Sequence, residues 1–355
     1  MKRFASLFFV STLAGCTGAH NAAKPVTPAG VVTATPVAMM VDGPWQKLAT
    51  EPFKGKQDDI YFVDDKVGFY GNGSGKLYRT EDGGDTWKLV WEKPGTFIRA
   101  LGFLDAKRGF IGNIGVDYFP DVTDTQMLYR TDDGGTTWTP VALPNTDGAR
   151  GMCAIDILSV DFINHGVPGH REVITVGGRV GGPGAAFRSP DGGQTWERLA
   201  LPADVAMILD IKFLDVNTGF IFAADDTDVE KSHGLIMRTT DSGRSWQPVY
   251  RSARPFELVW KASFPSKRVG YATLQSYNED PTTSQRYIVK TDDGGATWKE
   301  QLIVNDLAVK HFGVGFVDEL TGWVGGVPTA FATTDGGATW QPEPGLGMAA
   351  NKFRI

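Results

Sequence analysis

Three aspartates, Asp59, Asp161 and Asp210, fall in alternating apolar segments and are the residues best placed to do acid–base work. Glycoside hydrolysis needs only two carboxyl groups, roughly 5 to 10 Å apart, and a pair drawn from these three would supply them. Other clusters carry less. The acidic runs Asp225, Asp226, Asp228, Glu230 and Asp117, Asp121, Asp124 offer oxygen ligands, but without the glycine-punctuated spacing of a calcium loop they read as solvated loops. His165 and His170 flank a turn with no cysteine or third ligand nearby, which argues against zinc. The glycine-rich residues 177–184 lack the Lys-Ser/Thr ending and following helix of a phosphate loop. No metal and no cofactor is therefore expected. Tyr118 and Phe119, before Pro120, are aromatics suited to a protein or carbohydrate interface.

The elements that must position these groups are announced by a repeat. Six octapeptides punctuate the chain: TEDGGDTW (80–87), TDDGGTTW (131–138), SPDGGQTW (189–196), TTDSGRSW (239–246), TDDGGATW (291–298) and TTDGGATW (333–340). Their tryptophans lie 51, 58, 50, 52 and 42 residues apart, about one four-stranded sheet per unit, as in the blades of a propeller. Each box suits a tight hairpin between strands c and d. Asp82, Asp133, Asp191, Asp241, Asp293 and Asp335 and the flanking hydroxyls can bond the turn's own backbone. Glycine at the fifth position supplies a positive φ. Trp87, Trp138, Trp196, Trp246, Trp298 and Trp340 then bury a large apolar surface between neighbouring blades.

The flanks repeat as well. Strand a is expected to end in Phe62, Phe103, Phe162, Phe213, Phe264 or Phe316, and strand b to open at Gly68, Gly109, Gly219, Gly270 and Gly322. The third copy departs, with Gly169 and Val173 in a longer turn. The alternation predicts an all-β propeller of four-stranded antiparallel blades. Strand a should line a central channel. One alternate set, Leu101, Leu209, Ile211, Ala262, Phe312 and Val314, packs between blades. The other set faces the channel: Asp59, Tyr61, Ser159, Asp161, Asp210, Lys212, Lys261, Ser263, His311 and Lys352. Antiparallel order puts a–b and c–d turns on one face and b–c loops on the other. The long b–c segments 114–126, 224–234 and 274–286, with 177–184, mark that second face as the place for a partner. Arg99, Arg179, Trp260 and Lys261, with Tyr118, Phe119 and Asp210, are the candidate binding residues.

Both ends carry information. Trp45 resembles a strand d without its box, and residues 351–355 match the phase of a strand a. A seven-blade ring with an incomplete closing blade is expected, a six-blade ring with flanking strands being the alternative. Residues 1–15 read as a signal peptide, with Lys2 and Arg3 before an apolar stretch, and Leu13-Ala14-Gly15-Cys16 marks Cys16 for lipidation. Residues 16–44, rich in Ala, Pro and Thr, form a tether, and 45–355 the propeller. The expectation is an exported, lipid-anchored protein, on the periplasmic side of the outer membrane in a Gram-negative cell because Thr17 rather than Asp follows Cys16. Cys153 is then the one remaining thiol, read as a small buried hydrophobe. A formal net charge of −6 argues against nucleic acid.

The boxes resemble the BNR/Asp-box repeats of sialidases and related glycoside hydrolases. That resemblance implies an arginine cluster, a tyrosine nucleophile and a glutamate partner for a sialidase, whereas the channel set holds no arginine, with Arg99 alone near the mouth. A resemblance from Trp45 onward is closer. The LYRT-DGG-TW form, the Gly-Phe opening strand b and the ending GLGMAANKFRI resemble the propeller family of photosystem II assembly and stability factors. It implies a non-catalytic protein that binds a protein partner in the cell envelope, in photosynthetic members through an arginine-rich patch. Arg79, Arg130, Arg188 and Arg238 recur just before the boxes, with Lys290 and Ala332 in the last two copies, and read as a feature of blade structure. A sialidase-like hydrolase or carbohydrate-binding propeller is the alternative.

Overall fold

The structure, a computed structural model, describes residues 45–164, 167–280, 282, 284–347 and 349–353. The signal segment, Cys16, the tether, His165, Arg354 and Ile355 lie outside the described residues. Among the described residues are six four-stranded antiparallel sheets, each built from four strands consecutive in sequence. The a strands are Gln57–Phe62, Ile98–Phe103, Ala154–Asn164, Met207–Phe213, Glu257–Ser263 and Lys310–Phe316. Each touches the a strand of the next sheet, the arrangement of a propeller. Residues 349–353 lie beside the sixth sheet, where the Gly313 N–H donates to Ala350 O, and the Lys352 ammonium reaches Asp59 in the first. Trp45 packs edge-on against Trp323 and Phe353.

Each c strand ends on the first residue of its box and each d strand starts just after its tryptophan, so the box is the turn. In the second blade the Thr131 hydroxyl accepts from the Gly135 N–H (3.0 Å) and donates to Asp133 (2.9 Å). Asp133 accepts in turn from the Thr137 N–H and hydroxyl at 2.9 and 2.6 Å. The fifth-position glycines have φ between 77° and 101°. The fourth position is also left-handed, which the sequence reading did not anticipate, and Ser242 adopts it at φ 67° in the fourth copy. There the N–H reaches the neighbouring a–b turn in five blades at 2.8–3.0 Å, as in Gly134 N–H to Lys107 O, and in the third the Gly192 N–H reaches Glu172 O on strand b. Both turn types therefore share one face. The expected strand-b glycines lie under the strand-a aromatics: a Cβ on Gly109 would sit 2.3 Å from the Phe103 ring. The box tryptophans pack on these rings edge-on, as Trp138 does on Phe103 and Trp246 on Phe213.

The third blade corrects the reading of its a–b turn. Its box serine, Ser189, pairs with Ile174, which pairs with Ile157. In the second blade the corresponding chain of pairs is Thr131, Gly109, Phe103. Ile157, not Phe162, therefore holds the strand-a position, and Trp196 leans on Phe110 of the preceding blade instead. The extra residues do not form a long turn. They continue the two strands into a hairpin arm, paired from Leu158–Val173 to Asn164–Val167. Ser159 and Asp161 go with it, exposed to solvent and far from the channel phase assigned to them. Asp161 pairs with His170 at 2.7 Å. A bidentate bond from Arg108 to Glu172 (2.7 and 2.9 Å) ties the base of the arm to the second blade.

Three of the residues preceding the boxes are struts between blades, while Arg130 pairs with Asp132 of its own box. Arg79 donates to Gly134 O of the next box (3.2 Å), Arg188 to Val216 O (2.7 Å) and Lys290 to Gly336 O (3.1 Å), each crossing a seam.

Two outcomes follow from the boxes. The Thr131 hydroxyl is buried, so Thr131→Val should cost about 1–3 kcal/mol in chemical denaturation, while exposed Thr136→Val costs a few tenths; equal effects would refute this role. Hydrogen bonds from the box hydroxyls and N–H groups hold Asp82, Asp241, Asp293 and Asp335 at a pKa of about 2. Carboxyls depressed on folding stabilise the fold above their ordinary range near 4 and lose that contribution as pH falls through 2. The melting temperature should hold steady above pH 5 and drop between pH 4 and 2.

Candidate functional site

The inner strands are not regular. Their pairing with strand b slips between Gln57 and Asp59, Ile98 and Ala100, Ile208 and Asp210, Val259 and Ala262, and His311 and Val314. A bulge re-aims the extra side chain. The residues at these slips are Asp58, Arg99, Leu209, Trp260 with Lys261, and Phe312 with Gly313. Leu209, Trp260 and Phe312 join Tyr118 and Tyr277 in one apolar cluster at the b–c end of the channel. Arg99 sits among them, ion-paired to Asp58 at 2.8 Å and with its guanidinium 5.2 Å from the Trp260 ring.

This mouth is buried and charged. Arg99 and Asp58 are 6% and 3% exposed, so the pair is well shielded from water. Burial alone would lower the Arg99 pKa, yet Asp58, backed by Cys153, Tyr118 and Asp59, holds it above its usual value. Burial pushes the Cys153 thiol and the Tyr277 hydroxyl up and the nearby Lys56 ammonium down. Among the described residues Arg99 Nε, Trp260 Nε1 and, beyond the ion pair itself, both Asp58 oxygens have no hydrogen-bond partner. Buried polar groups are nearly always satisfied, so the mouth offers unused donors and acceptors beside aromatic faces.

The other expected site residues are engaged. Arg179 is buried and donates to Gly182 O, Ile114 O and Val116 O, clamping two loops. Phe119 stacks on Phe97 at 4.9 Å and Tyr118 meets it edge-on, so these aromatics pack the second loop rather than project from it. Asp210 accepts from the Ala262 N–H (3.1 Å), and Lys261 donates to Leu209 O (2.6 Å). Asp59 accepts from the Ile60 and Leu101 N–H groups at 2.8 and 2.7 Å. Asp156, absent from the channel set, accepts from the Phe213 N–H at 2.9 Å. His311 is fully buried, and desolvation lowers its pKa to about 3, so it is neutral. The acidic loops are likewise tied down, Asp124 by Lys93 and Tyr129, Asp225 by Arg251. Sequence reasoning missed Asp58 and Lys56 because a bulge breaks the two-residue period and leaves no residue signature.

No family model matches the chain. The curated photosystem II assembly lipoprotein Ycf48 of Synechococcus sp. (strain CC9902) is 23% identical over 301 residues, covering 73% of this chain and 78% of that protein. Among solved structures the chain is similar to YCF48 bound to D1 peptide, with a TM-score of 0.55, 17% identity and coverage of 83% and 85% of the two chains. It is similar to YCF48 from Cyanidioschyzon merolae at TM-score 0.57 and 14% identity, over 86% and 89%. A GH74 enzyme from Niastella koreensis matches at TM-score 0.53 and 17% identity, over 77% of this chain and 44% of the enzyme. The chain is thus similar to Ycf48-like β-propellers in sequence and in fold.

The buried pair can be tested directly. Arg99→Met strands the Asp58 carboxylate and should cost roughly 3–5 kcal/mol, whereas Arg99→Met with Asp58→Leu should recover most of it. A cost below 1 kcal/mol for the single variant would show that the two charges are not dependent on each other.

Proposed function

We propose that this chain is a non-catalytic, lipid-anchored assembly module of the cell envelope, holding a segment of a partner polypeptide at the b–c mouth of its ring. The observation that carries this reading is the buried Arg99–Asp58–Trp260 group, with hydrogen-bonding capacity unused and aromatic walls around it. An extended peptide brings N–H and C=O groups that match such a site. The similarity to an assembly lipoprotein, and to a relative whose structure was solved with a bound peptide, supports both the partner class and lipidation at Cys16. A seven-blade ring is part of the same proposal, with Trp45 and residues 351–353 as the remnants of a closing blade. The boxes are its Asp-box turns and lie away from the partner.

The hydrolase alternative lacks free acids. Asp59, Asp156 and Asp210 bond backbone N–H groups of inner strands, and Asp161 stands on the arm outside the channel. Two carboxyl groups facing one sugar are not assembled among the described residues.

Affinity capture from envelope extract tests the proposal. Reversing exposed charges on the b–c loops, with Asp121→Arg, Glu230→Arg and Glu279→Arg together, should weaken capture of the partner at least tenfold, about 1.4 kcal/mol. Glu81→Arg with Asp132→Arg, on the box face, should leave it unchanged. Equal loss from both sets would move the site elsewhere. Turnover of a glycan abolished by Asp210→Asn would replace the proposal with the enzyme.

A further inference from the structure

Near the box face, two of the seams between inner strands are closed by the same bond. The residue before the strand-a aromatic position accepts from the N–H of that position in the following blade. Asp156, before Ile157, takes the Phe213 N–H at 2.9 Å, and Ser263, before Phe264, takes the Phe316 N–H at 3.1 Å. The seam between these two, from the fourth blade to the fifth, has Lys212 in that place. Register sets Lys212 against Phe220 of strand b just as it sets Ser263 against Tyr271. An ammonium carries three donors and no acceptor, so Lys212 cannot take the Phe264 N–H. That N–H lies two residues beyond Ala262, whose own N–H crosses the seam to Asp210, and therefore points the same way. It has no hydrogen-bond partner among the described residues.

The unanswered donors open on a cavity of about 540 Å³, set between the a–b ends of the fourth, fifth and sixth inner strands. Its lining includes Lys212, Ser263, Phe264 and Lys267 but no aspartate or glutamate, in a chain with 41 acidic and 35 basic side chains. Lys212 commits one donor to a 3.5 Å contact with Asp156. Lys267, in the a–b turn of the fifth blade, has no ion pair among the described residues. Ser263 Oγ accepts from the Phe316 N–H, and its own proton has no acceptor among the described residues. The carboxylates of the adjoining turns are already tied. Asp215 accepts from the Asn217 and Thr218 N–H groups, and Glu319 from Ser266 and Arg268. Phe213, Val314 and Phe316 give the rest of the wall an apolar character.

We infer that this cavity binds a small organic oxyanion, a carboxylate or a phosphate monoester, held by Lys212, Lys267 and the Phe264 N–H. Its charged head takes the acceptor role that Asp156 and Ser263 play in the neighbouring seams. Hydrogen bonds in which one partner is ionised are roughly twice as strong as neutral ones, so the anion ties the fourth blade to the fifth. The volume is that of a small-molecule site, about 300–1,000 Å³, and leaves room for an organic body against the apolar wall. This site stands at the opposite end of the channel from the b–c mouth and does not rest on the partner reading.

The test titrates the full chain with glycerol 3-phosphate and with butyrate, at an ionic strength held constant with chloride, and reads calorimetric binding and melting temperature. At least one of the two should bind and raise the melting temperature, and which one does so identifies the head group. Lys212→Met and Lys267→Met should each weaken that binding roughly tenfold, and Lys212→Arg should retain it. Lys107→Met, in the a–b turn of the second blade, should leave it unchanged. Lys212→Ser supplies the hydroxyl acceptor that Ser263 supplies in the next seam. It should melt no lower than the anion-free parent and gain nothing from either anion, which keeps the test readable if Lys212→Met fails to fold. Neither heat nor a melting shift from both anions overturns the inference, as does undiminished binding by Lys212→Ser. Equal loss from Lys107→Met, or an equal melting shift from added chloride, also overturns it, since diffuse surface charge would then suffice. Partner capture at the b–c mouth is read separately and survives any of these failures.

Discussion

Every blade exposes one raw sheet edge to the channel. The outer side of each inner strand is paired with strand b, but its inner N–H and C=O groups face other inner strands, and buried backbone groups must find partners. Side chains from the adjoining blade supply them. Asp59 reaches the Leu101 N–H, Asp156 the Phe213 N–H, Asp210 the Ala262 N–H and Ser263 Oγ the Phe316 N–H. Lys261 reaches back to Leu209 O, and Thr273 and Gln275 reach forward to Phe312 O and His311 O. Hydrogen bonds to charged groups are the stronger ones, about twice a neutral bond. The polar and charged side chains of the channel therefore join the separate sheets together with the apolar clusters that span neighbouring blades.

That use of charge separates the two faces functionally. Carboxylates bonded to backbone amides are held in a fixed orientation, and neither protonating a leaving group nor attacking a sugar is open to them without breaking a seam. On the box face the struts Arg79, Arg188 and Lys290 add a second belt of inter-blade bonds. The b–c mouth differs from both. Its bulges turn Asp58, Arg99 and Trp260 out of the stapling pattern, leaving polar atoms without partners in a buried, aromatic setting.

Most of the fold was legible because the boxes combine residues whose reasons are local. A left-handed glycine, a hydroxyl and a carboxylate bond within eight residues, so sequence alone places the c–d turns and the strands on either side. The position of the strand-b glycines was legible for a similar reason, since only glycine fits beneath the Phe103 or Phe213 ring. The third blade was not legible. Phe162 and Gly169 copy the aromatic-over-glycine pair within the arm, where a Cβ on Gly169 would meet the Phe162 ring at 2.5 Å. The local motif was right and its radial position wrong, because register is fixed by Ser189 and Ile174 across the sheet. The site was half legible. Arg99, Trp260 and Lys261 could be named, but their partner Asp58 lies one residue off the alternating phase.

The slip at Asp58 also links the site to ring closure. Asp58 and Asp59 are neighbours on one bulged strand, and their carboxylates part company: the first pairs with Arg99 at the mouth, the second with Lys352 from the C-terminal segment. Asp59 meanwhile holds the Leu101 N–H, two residues beyond Arg99. The first two inner strands are thus pinned to each other and to residues 349–353 through a single dipeptide. Any movement of that segment along the sixth blade must pull on Asp59, and through the shared backbone on the Asp58–Arg99 pair. The mouth is accordingly built beside the contact that the C-terminal segment makes with the first sheet, and the two share one stretch of backbone.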